Sequence, residues 1–241
     1  MTGDDDVRAD VAEHARFLAS LSGIGVPRPP EGGAADSMDE RASSAPTTEG
    51  DSDPEAPLRA IREELGDCQR CRLAGGRKSI VFGQGSPRAE IMFVGEAPGA
   101  EEDEQGLAFV GRAGQLLTDI IEKGLKMKRA DVFIANILKC RPPKNRDPEA
   151  DEIMTCQPFL EAQIRAIRPR VLVGLGKFSA HWLLKTATPI TRLRGHLGEW
   201  EGITVMPTYH PAYLLRNPRA KKDLWEDMKV VLGLIGRPVP D

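Results

Sequence analysis

The sequence predicts a three-layer α/β/α sandwich around a short, mainly parallel four-stranded sheet. Two observations predict this fold class: four short apolar runs rich in β-branched residues, and helical patterns that separate them along the chain. The runs are almost continuously apolar, which is typical of parallel strands that are covered on both faces. In such sheets the functional loops follow the carboxyl ends of the strands.

The predicted elements alternate from residue 58 onward. We expect strands at residues 91–94, 132–137, 171–174 and 203–208. We expect helices at residues 113–126, 149–167, 177–186 and 220–235, where apolar residues recur with helical spacing. The chain length of 241 residues favours one main domain with an appendage, and we place that domain at residues 58–241.

The first 57 residues differ from the rest in composition. In residues 1–22, apolar side chains recur at near-helical spacing and predict a short amphipathic helix. Residues 23–57 are acidic and rich in Pro, Gly and Ser, so they cannot bury enough apolar surface to fold. We therefore expect a disordered linker at 23–57, and the helix before it is a candidate site for a protein partner.

The net charge of −3 hides an uneven distribution. Residues 1–57 carry 13 acidic and 4 basic residues, whereas residues 58–241 carry 29 basic and 23 acidic residues. A basic domain with an acidic tail is compatible with phosphate binding, although an ordinary solvated surface can have the same charge. The chain has no run of about 18 apolar residues and no signal peptide at its acidic start. We expect a cytoplasmic, monomeric protein without membrane contact.

The four cysteines suggest a metal site. Cys68 and Cys71 form a CxxC pair, and Cys140 and Cys156 follow far along the chain. A reducing compartment disfavours disulfides, and soft thiolate ligands select zinc or an iron–sulfur cluster. The spacing alone does not choose between these two, and four unrelated thiols are a third interpretation. A metal would tie the loop 141–155 to the start of the domain.

Two segments near the first predicted strand could contact a ligand. Glu96 and Ala97 lie in a turn of small residues directly after that strand, where a ligand can approach the backbone closely. Phe109 lies in a glycine-flanked loop just before a helix. Its ring can stack on a planar base there, or it can belong to the core.

The second predicted strand ends in an amide and leads into a basic loop. Asn136 would cost about 1–3 kcal/mol if it were buried and unsatisfied, so it needs either a local backbone partner or the polar edge of a ligand. Arg141, Lys144 and Arg146 follow in a proline-stiffened loop. Such a loop is suited to phosphate contacts, although solvated surface charge is the alternative.

A second basic loop follows the fourth predicted strand. It contains His210, the adjacent Leu214 and Leu215, and Arg216. Two adjacent leucines are unusual in a basic loop that is exposed to solvent. In enzymes that act on DNA, such leucines can wedge into the base stack while basic residues hold phosphates. His181, on an apolar helix, is interpreted as a core residue.

Together these motifs closely resemble the family 4 uracil-DNA glycosylases. The matching segments, in the family's order, are Gly95-Glu96-Ala97-Pro98-Gly99, Phe109-Val110-Gly111-Arg112-Ala113-Gly114, Asn136 before Lys139-Cys140-Arg141-Pro142-Pro143, and His210-Pro211-Ala212-Tyr213-Leu214-Leu215-Arg216-Asn217-Pro218. The resemblance runs from about Cys68 to Leu234. It implies a uracil-DNA glycosylase-like fold and a DNA repair enzyme that flips uracil out of DNA and hydrolyses its N-glycosidic bond, leaving an abasic site.

The resemblance also implies a role for each residue around the flipped base. Phe109 would stack on uracil, Asn136 would read its O4 and N3 edge, and His210 would donate to O2 as negative charge develops there. Glu102 would lie beside C5 and help exclude the methyl group of thymine. Glu96 and the backbone of Ala97 would border the attacking water. Ala97 stands where better-known uracil-DNA glycosylases have an aspartate, so Glu96 is our candidate for the general base.

Beyond the pocket, the resemblance implies a metal cofactor and DNA contacts. A structural [4Fe-4S] cluster would be held by four ligands: Cys68, Cys71, Cys140 and Cys156. Leu214 or Leu215 would fill the space that the flipped base leaves. The expected phosphate contacts are Arg141, Lys144, Arg146 and Arg216.

Two other functions are compatible with parts of the sequence. A catalytically silent DNA-binding accessory protein of replication or repair could keep the fold and the cluster while its acidic N-terminal segment engages a partner. A zinc-stabilised hydrolase of small nucleotides would be colourless and would not use uracil in a DNA strand. The complete set of pocket residues favours the glycosylase.

Overall fold

A mixed sheet of six strands lies at the centre of the computed structural model, which describes residues 53–240. The strands are β1 (Gln84–Gly85), β2 (Ile91–Gly95), β3 (Phe133–Asn136), β4 (Val171–Leu175), β5 (Gly198–Trp200) and β6 (Ile203–Thr208). Their spatial order is β1-β3-β2-β4-β6-β5. The four inner strands run parallel, and β1 and β5 pair antiparallel at the two edges.

Eight α-helices connect and cover the strands within the described residues. They are α1 (Ala56–Leu65), α2 (Ala100–Gln105), α3 (Arg112–Asp119), α4 (Ala150–Ile167), α5 (Lys177–Leu184), α6 (Ile190–Leu193), α7 (Pro211–Arg216) and α8 (Lys221–Leu234). A π-helical turn, Ile120–Gly124, continues α3. Among residues 53–240, no helix has the length and apolar content that a membrane span requires.

The inner strands are buried on both faces, which explains their continuous apolar sequences. Phe93 and Val173 belong to one core cluster with residues of α3 and α8, such as Leu117 and Met228. On the other face α5 packs closely, since a Cβ atom on Gly174 would lie 3.3 Å from the side chain of Leu183. The predicted α/β sandwich with a parallel four-stranded centre is confirmed.

The predicted elements did not include the two edge strands or the helices α1, α2, α6 and α7. The edge strands β1 and β5 were not predicted, because two or three partly exposed residues carry no recognisable alternation. Helix α1 begins at Ala56, with a proline in its first turn, so the folded unit starts before the expected boundary at residue 58. The amphipathic helix expected in residues 1–22 lies outside the described residues.

Candidate active site

A cavity lies where the carboxyl ends of the parallel strands meet. β3 and β4 lie on opposite sides of β2, so the strand order reverses there, and open α/β sheets bind ligands at such a reversal. The cavity has a volume of about 570 Å³, which is in the range of small-molecule sites. Its walls come from Asn136 and from the segments 96–102, 109–113, 142–147 and 210–216.

Gly95 allows an amide and an aromatic ring to meet at the end of β2. It is paired with Asn136 in the register of β2 and β3. A Cβ atom on Gly95 would lie 2.3 Å from Asn136 Oδ1 and 2.7 Å from the ring of Phe109, so no larger residue fits. The centroid of the Phe109 ring lies 5.6 Å from that of His210. The fold thus brings together the three residues expected to contact the base.

The amide oxygen of Asn136 is buried without a partner. The residue is only 1% exposed, and its Oδ1 accepts no hydrogen bond from the described residues 53–240. Its backbone carbonyl, in contrast, accepts a hydrogen bond of 2.9 Å from the buried ammonium of Lys139, which also donates to Gln163. Of the two partners considered for Asn136, a ligand in the cavity is therefore the one that this geometry leaves open.

His210 is held as a neutral imidazole. The backbone N–H of Ala212 donates to its Nδ1 at 3.1 Å, because the histidine caps the N-terminus of α7. Since Nδ1 is an acceptor, the proton of the neutral ring is on Nε2. Burial lowers the pKa of His210 to about 4, with the charge of Arg216 acting in the same direction and Glu102 opposing it. The ring therefore stays neutral near pH 7 and can donate from Nε2.

Glu96 directly follows β2, and the pKa of its carboxyl group is raised. Burial raises the pKa of its carboxyl group to about 7, the negative charge of Asp147 raises it further, and Lys177 opposes the shift. A carboxyl group that titrates near the working pH can both take up and release a proton. Glu96 lines the cavity together with Ala97.

Glu102 uses both carboxylate oxygens to bind backbone amides. Oε1 accepts hydrogen bonds from the N–H groups of Val110 and Gly111, at 2.8 and 2.9 Å. Oε2 accepts from the N–H of Gly99 at 3.1 Å and so completes the N-terminal cap of α2. Glu102 borders the cavity, as expected, but in this structure it also joins the loop after β2 to the loop that carries Phe109.

The segment after His210 is the helix α7 rather than an exposed loop. A helix points every third or fourth side chain to the same side, and Leu214 is completely buried in the core. The expectation that Leu214 is exposed is therefore wrong. Leu215 is 36% exposed, and Arg216 is exposed at the border of the cavity. Of the two leucines, only Leu215 reaches the surface, and its insertion into a base stack stays a prediction.

The basic loop after β3 contributes fewer free cations than expected. Arg146 forms two hydrogen bonds with the carboxylate of Glu152, which is completely buried and needs a cation beside it. This ion pair holds the loop onto α4, while the partly exposed side chain of Arg146 also lines the cavity, so the expected phosphate contact stays a prediction. Arg141 donates to Asn145 at 2.7 Å, and Lys144 is exposed.

The four cysteines are free thiols on three separate segments. Cys68 and Cys71 follow α1, Cys140 follows β3, and Cys156 lies in α4. Burial raises the pKa of Cys140 to about 11, and the thiols of Cys156 and Cys71 act in the same direction. Cys156 likewise has a pKa raised by burial, with contributions from Cys71 and Cys68. Cys140 is therefore within electrostatic reach of Cys156 and Cys71, and Cys156 is also within reach of Cys71 and Cys68.

N–H donors contact three of these thiols. The contacts are Arg70 Nη1 to Cys68 Sγ at 3.4 Å, the backbone N of Lys139 to Cys156 Sγ at 3.3 Å, and Arg77 Nη1 to Cys140 Sγ at 3.7 Å. Such donors stabilise thiolate ligands of iron–sulfur clusters. Across residues 53–240, no three His, Cys, Asp or Glu side chains are arranged to hold one metal ion.

Several residues at the cavity were not anticipated from the sequence. Arg112 and Tyr213 line it from the first turns of α3 and α7, and Asp147 lines it from the basic loop. The sequence signal for Arg112 and Tyr213 was their place inside the matching motifs. Asp147 had no such signal, because its effect on Glu96 depends on how two distant loops approach each other.

Comparisons with known proteins agree with this geometry. The family model of the uracil DNA glycosylase superfamily matches residues 82–229. The type-4 uracil-DNA glycosylase of Sulfurisphaera tokodaii is 47% identical over 189 residues, which cover 75% of this chain and 86% of that protein. The type-4 enzyme of Saccharolobus solfataricus is also 47% identical, over 76% of this chain and 88% of its own length. That of Archaeoglobus fulgidus is 40% identical, over 75% and 94%.

Proposed function

This chain belongs to the type-4 family within the uracil-DNA glycosylase superfamily, and on that premise we propose how its residues excise uracil from DNA. The enzyme hydrolyses the N-glycosidic bond between uracil and deoxyribose and leaves an abasic site. The observation that carries the assignment of roles is the unpartnered, buried Oδ1 of Asn136 in a cavity that also holds an aromatic ring and a neutral histidine.

We propose that Asn136 and Phe109 select the base. The amide oxygen of Asn136 accepts from uracil N3–H, and its NH₂ group donates to O4, a pattern that cytosine does not match. The ring of Phe109 stacks on the flipped base. Glu102 borders the base, and the proposal that it helps exclude a 5-methyl group stays a prediction.

We propose that His210 stabilises the leaving group. As the bond from C1′ to N1 breaks, its electron pair moves onto uracil, and negative charge develops at O2. The Nε2–H of His210 donates to that oxygen, and the fixed donor acts as an oxyanion hole does. A neutral imidazole retains this proton, which agrees with the depressed pKa of His210.

Water completes the reaction on the sugar. We propose that the carboxylate of Glu96, beside the backbone of Ala97, orients the water that attacks C1′. The oxygen of water bonds to C1′ and its proton passes to Glu96 or to the departing uracil anion. With a pKa of about 7, a large fraction of Glu96 is ionised at neutral pH and can accept that proton.

The exposed residues around the cavity supply the proposed DNA contacts. Arg141 and Lys144 lie on the loop after β3, and Arg216 lies at the end of α7 beside the cavity. All three side chains can reach phosphates. Leu215 fills the space that the flipped base leaves in a duplex. Leu214 is not part of this surface, because it is buried. Arg146 is paired with Glu152 and lines the cavity, and a phosphate contact from its partly exposed side chain stays a prediction.

We propose that the four cysteines hold a [4Fe-4S] cluster. The four thiols, of which Cys140 and Cys156 are buried, would repel each other once ionised, and iron supplies the positive charge that offsets this repulsion. The N–H donors from Arg70, Arg77 and Lys139 suit such a ligand set. When bound, the cluster supplies a cross-link between the segment after α1, the end of β3 and α4. Its role is structural.

A strand-cleavage assay tests the proposed function. The protein is produced in a host that lacks its own uracil-DNA glycosylase and is incubated with labelled oligonucleotides containing one uracil, cytosine or thymine. Alkali then cleaves abasic sites, and released uracil is measured chromatographically. We expect cleavage of the uracil strand alone, and an Asn136→Ala protein purified in the same way controls for contaminating enzymes.

The same assay separates the competing functions. A silent accessory protein would bind the oligonucleotides without releasing uracil. A nucleotide hydrolase would release uracil from free deoxyuridine nucleotides and leave the strand intact. Release of uracil from DNA at the level of the variant control would refute the glycosylase assignment.

A further inference from the structure

Phe109 has a backbone conformation that is unfavourable for its residue type. Its φ angle is +52°, in the left-handed region, which bulky side chains rarely adopt. The ring is nevertheless buried beside Gly95 and His210, in the place where the base is expected to stack. Neighbouring groups therefore have to hold this peptide in place, because it would otherwise relax toward an ordinary conformation.

Arg129 binds the Phe109 loop from one side. Its Nη2 donates to the backbone carbonyls of Ala108 and Phe109, at 2.8 and 3.0 Å. Its Nη1 donates to Thr118 Oγ1 on α3 at 2.8 Å, which fixes the plane of the guanidinium group. One arginine thus connects the two carbonyls at the strained residue to the helix that follows it.

Glu102 binds the same loop from the other side, through the two N–H groups that follow Phe109. Burial lowers the pKa of Arg129, and the carboxylates of Glu122 and Glu102 oppose that shift, so Glu102 and Arg129 are within electrostatic reach. Helix α3 closes the arrangement, since a Cβ atom on Gly114 would lie 2.0 Å from the Phe109 carbonyl. The peptide groups from Ala108 to Gly111 are therefore bound on both sides.

We infer that Arg129 is a positioning residue for uracil excision and acts through Phe109, by holding the carbonyls that set the direction of its ring. The inference rests on the proposed function, because it assigns a purpose to the ring at the base. Arg129 does not line the cavity, so it is not expected to touch uracil. A loss of Arg129 affects the reaction only if the ring of Phe109 is present.

A double-mutant cycle tests this dependence. Arg129→Met removes the donors and keeps much of the apolar length, and we expect the single-turnover rate on a uracil oligonucleotide to fall on the order of 30-fold. Arg129→Lys keeps a charge that can reach one carbonyl, and the loss should be smaller. In a Phe109→Ala background, Arg129→Met should change the rate by less than about threefold, because the residue on which it acts is gone. The matched control is Arg88→Met, which alters an exposed arginine on another loop.

A binding measurement supplies a readout that does not need chemistry. Fluorescence anisotropy compares an oligonucleotide carrying uncleavable 2′-fluoro-deoxyuridine with undamaged DNA of the same sequence. Arg129→Met should weaken the preference for the uracil analogue and leave the affinity for undamaged DNA unchanged. Arg88→Met should alter neither affinity.

The outcomes separate the inference from the function. A wild-type protein that releases no uracil refutes the proposed function. Wild-type excision combined with an unchanged Arg129→Met protein, or with equal losses in both backgrounds, overturns the inference alone. If neither Arg129 variant folds, the inference also fails, because Arg129 is then needed for the core rather than for the direction of one ring.

Discussion

Removal of the Asn136 amide should abolish selective catalysis without weakening the fold. In Asn136→Ala the backbone carbonyl remains, so the hydrogen bond from Lys139 is kept. What is lost is the group that faces the cavity. Asn136→Asp keeps the size of the side chain but turns a carboxylate toward uracil O4, which repels it.

The expected magnitudes follow from the burial of this amide. Loss of one preorganised donor to a developing charge costs about 100-fold or more in rate, which corresponds to about 2.7 kcal/mol of transition-state stabilisation. For stability, the unpartnered Oδ1 carries a desolvation cost of about 1–3 kcal/mol in the free protein. Truncation removes that cost along with about 1–2 kcal/mol of packing. These effects nearly cancel, so the melting temperature should stay within about 3 °C of wild type.

Single-turnover cleavage of matched uracil and cytosine oligonucleotides measures the catalytic part, and thermal unfolding with iron analysis measures the structural part. Asn136→Asp should lose uracil excision and, in its protonated form, gain weak cytosine excision. Wild-type-like uracil excision by a folded Asn136→Ala protein would remove Asn136 from the site. A large drop in melting temperature would show instead that the amide is a structural element of β3.

Three further predictions concern other parts of the protein. Leu215→Ala should reduce excision from duplex DNA more than from single strands and leave the unfolding free energy unchanged. Leu214→Ala should lower the unfolding free energy by about 2–5 kcal/mol, because it opens a cavity in the core. Chemical denaturation of both variants measures this difference. The single-turnover rate should rise with pH through about 7 as Glu96 ionises, without an inflection for His210 above pH 5, and Glu96→Gln should remove the inflection near 7. A carboxyl group whose pKa is raised in the folded state destabilises the fold progressively from about pH 4.5 to 7. The Glu96→Gln variant should therefore be more stable than wild type at pH 8. The purified protein should be brown with about four irons per chain, and Cys140→Ser should lower iron content and melting temperature; stoichiometric zinc after anaerobic purification would contradict the cluster.

The sequence determined the layers of the fold because the burial of a strand requires apolar residues at consecutive positions of the chain. A parallel strand covered on both faces has to be apolar at every position, and the runs at 91–94 and 171–174 could be recognised without any knowledge of their neighbours. The residues proposed to contact the base could be predicted to lie together for a related reason. Asn136 ends β3 and His210 follows β6, and the carboxyl ends of parallel strands meet at one edge of the sheet. Phe109 lies between two helices and could be identified only by its motif.

Only the tertiary structure decided which members of a motif face the site. Leu214 and Leu215 are adjacent and equally apolar, and the direction of α7 against the core buries one and exposes the other. Arg146 belongs to a basic loop in the sequence, and only the structure shows that it is paired with the buried carboxylate of Glu152. Arg129 lies 20 residues beyond Phe109 and has no motif of its own, yet its guanidinium binds the Phe109 carbonyl. Side-chain partners that are distant along the chain depend on packing, and packing leaves no periodic trace in the sequence.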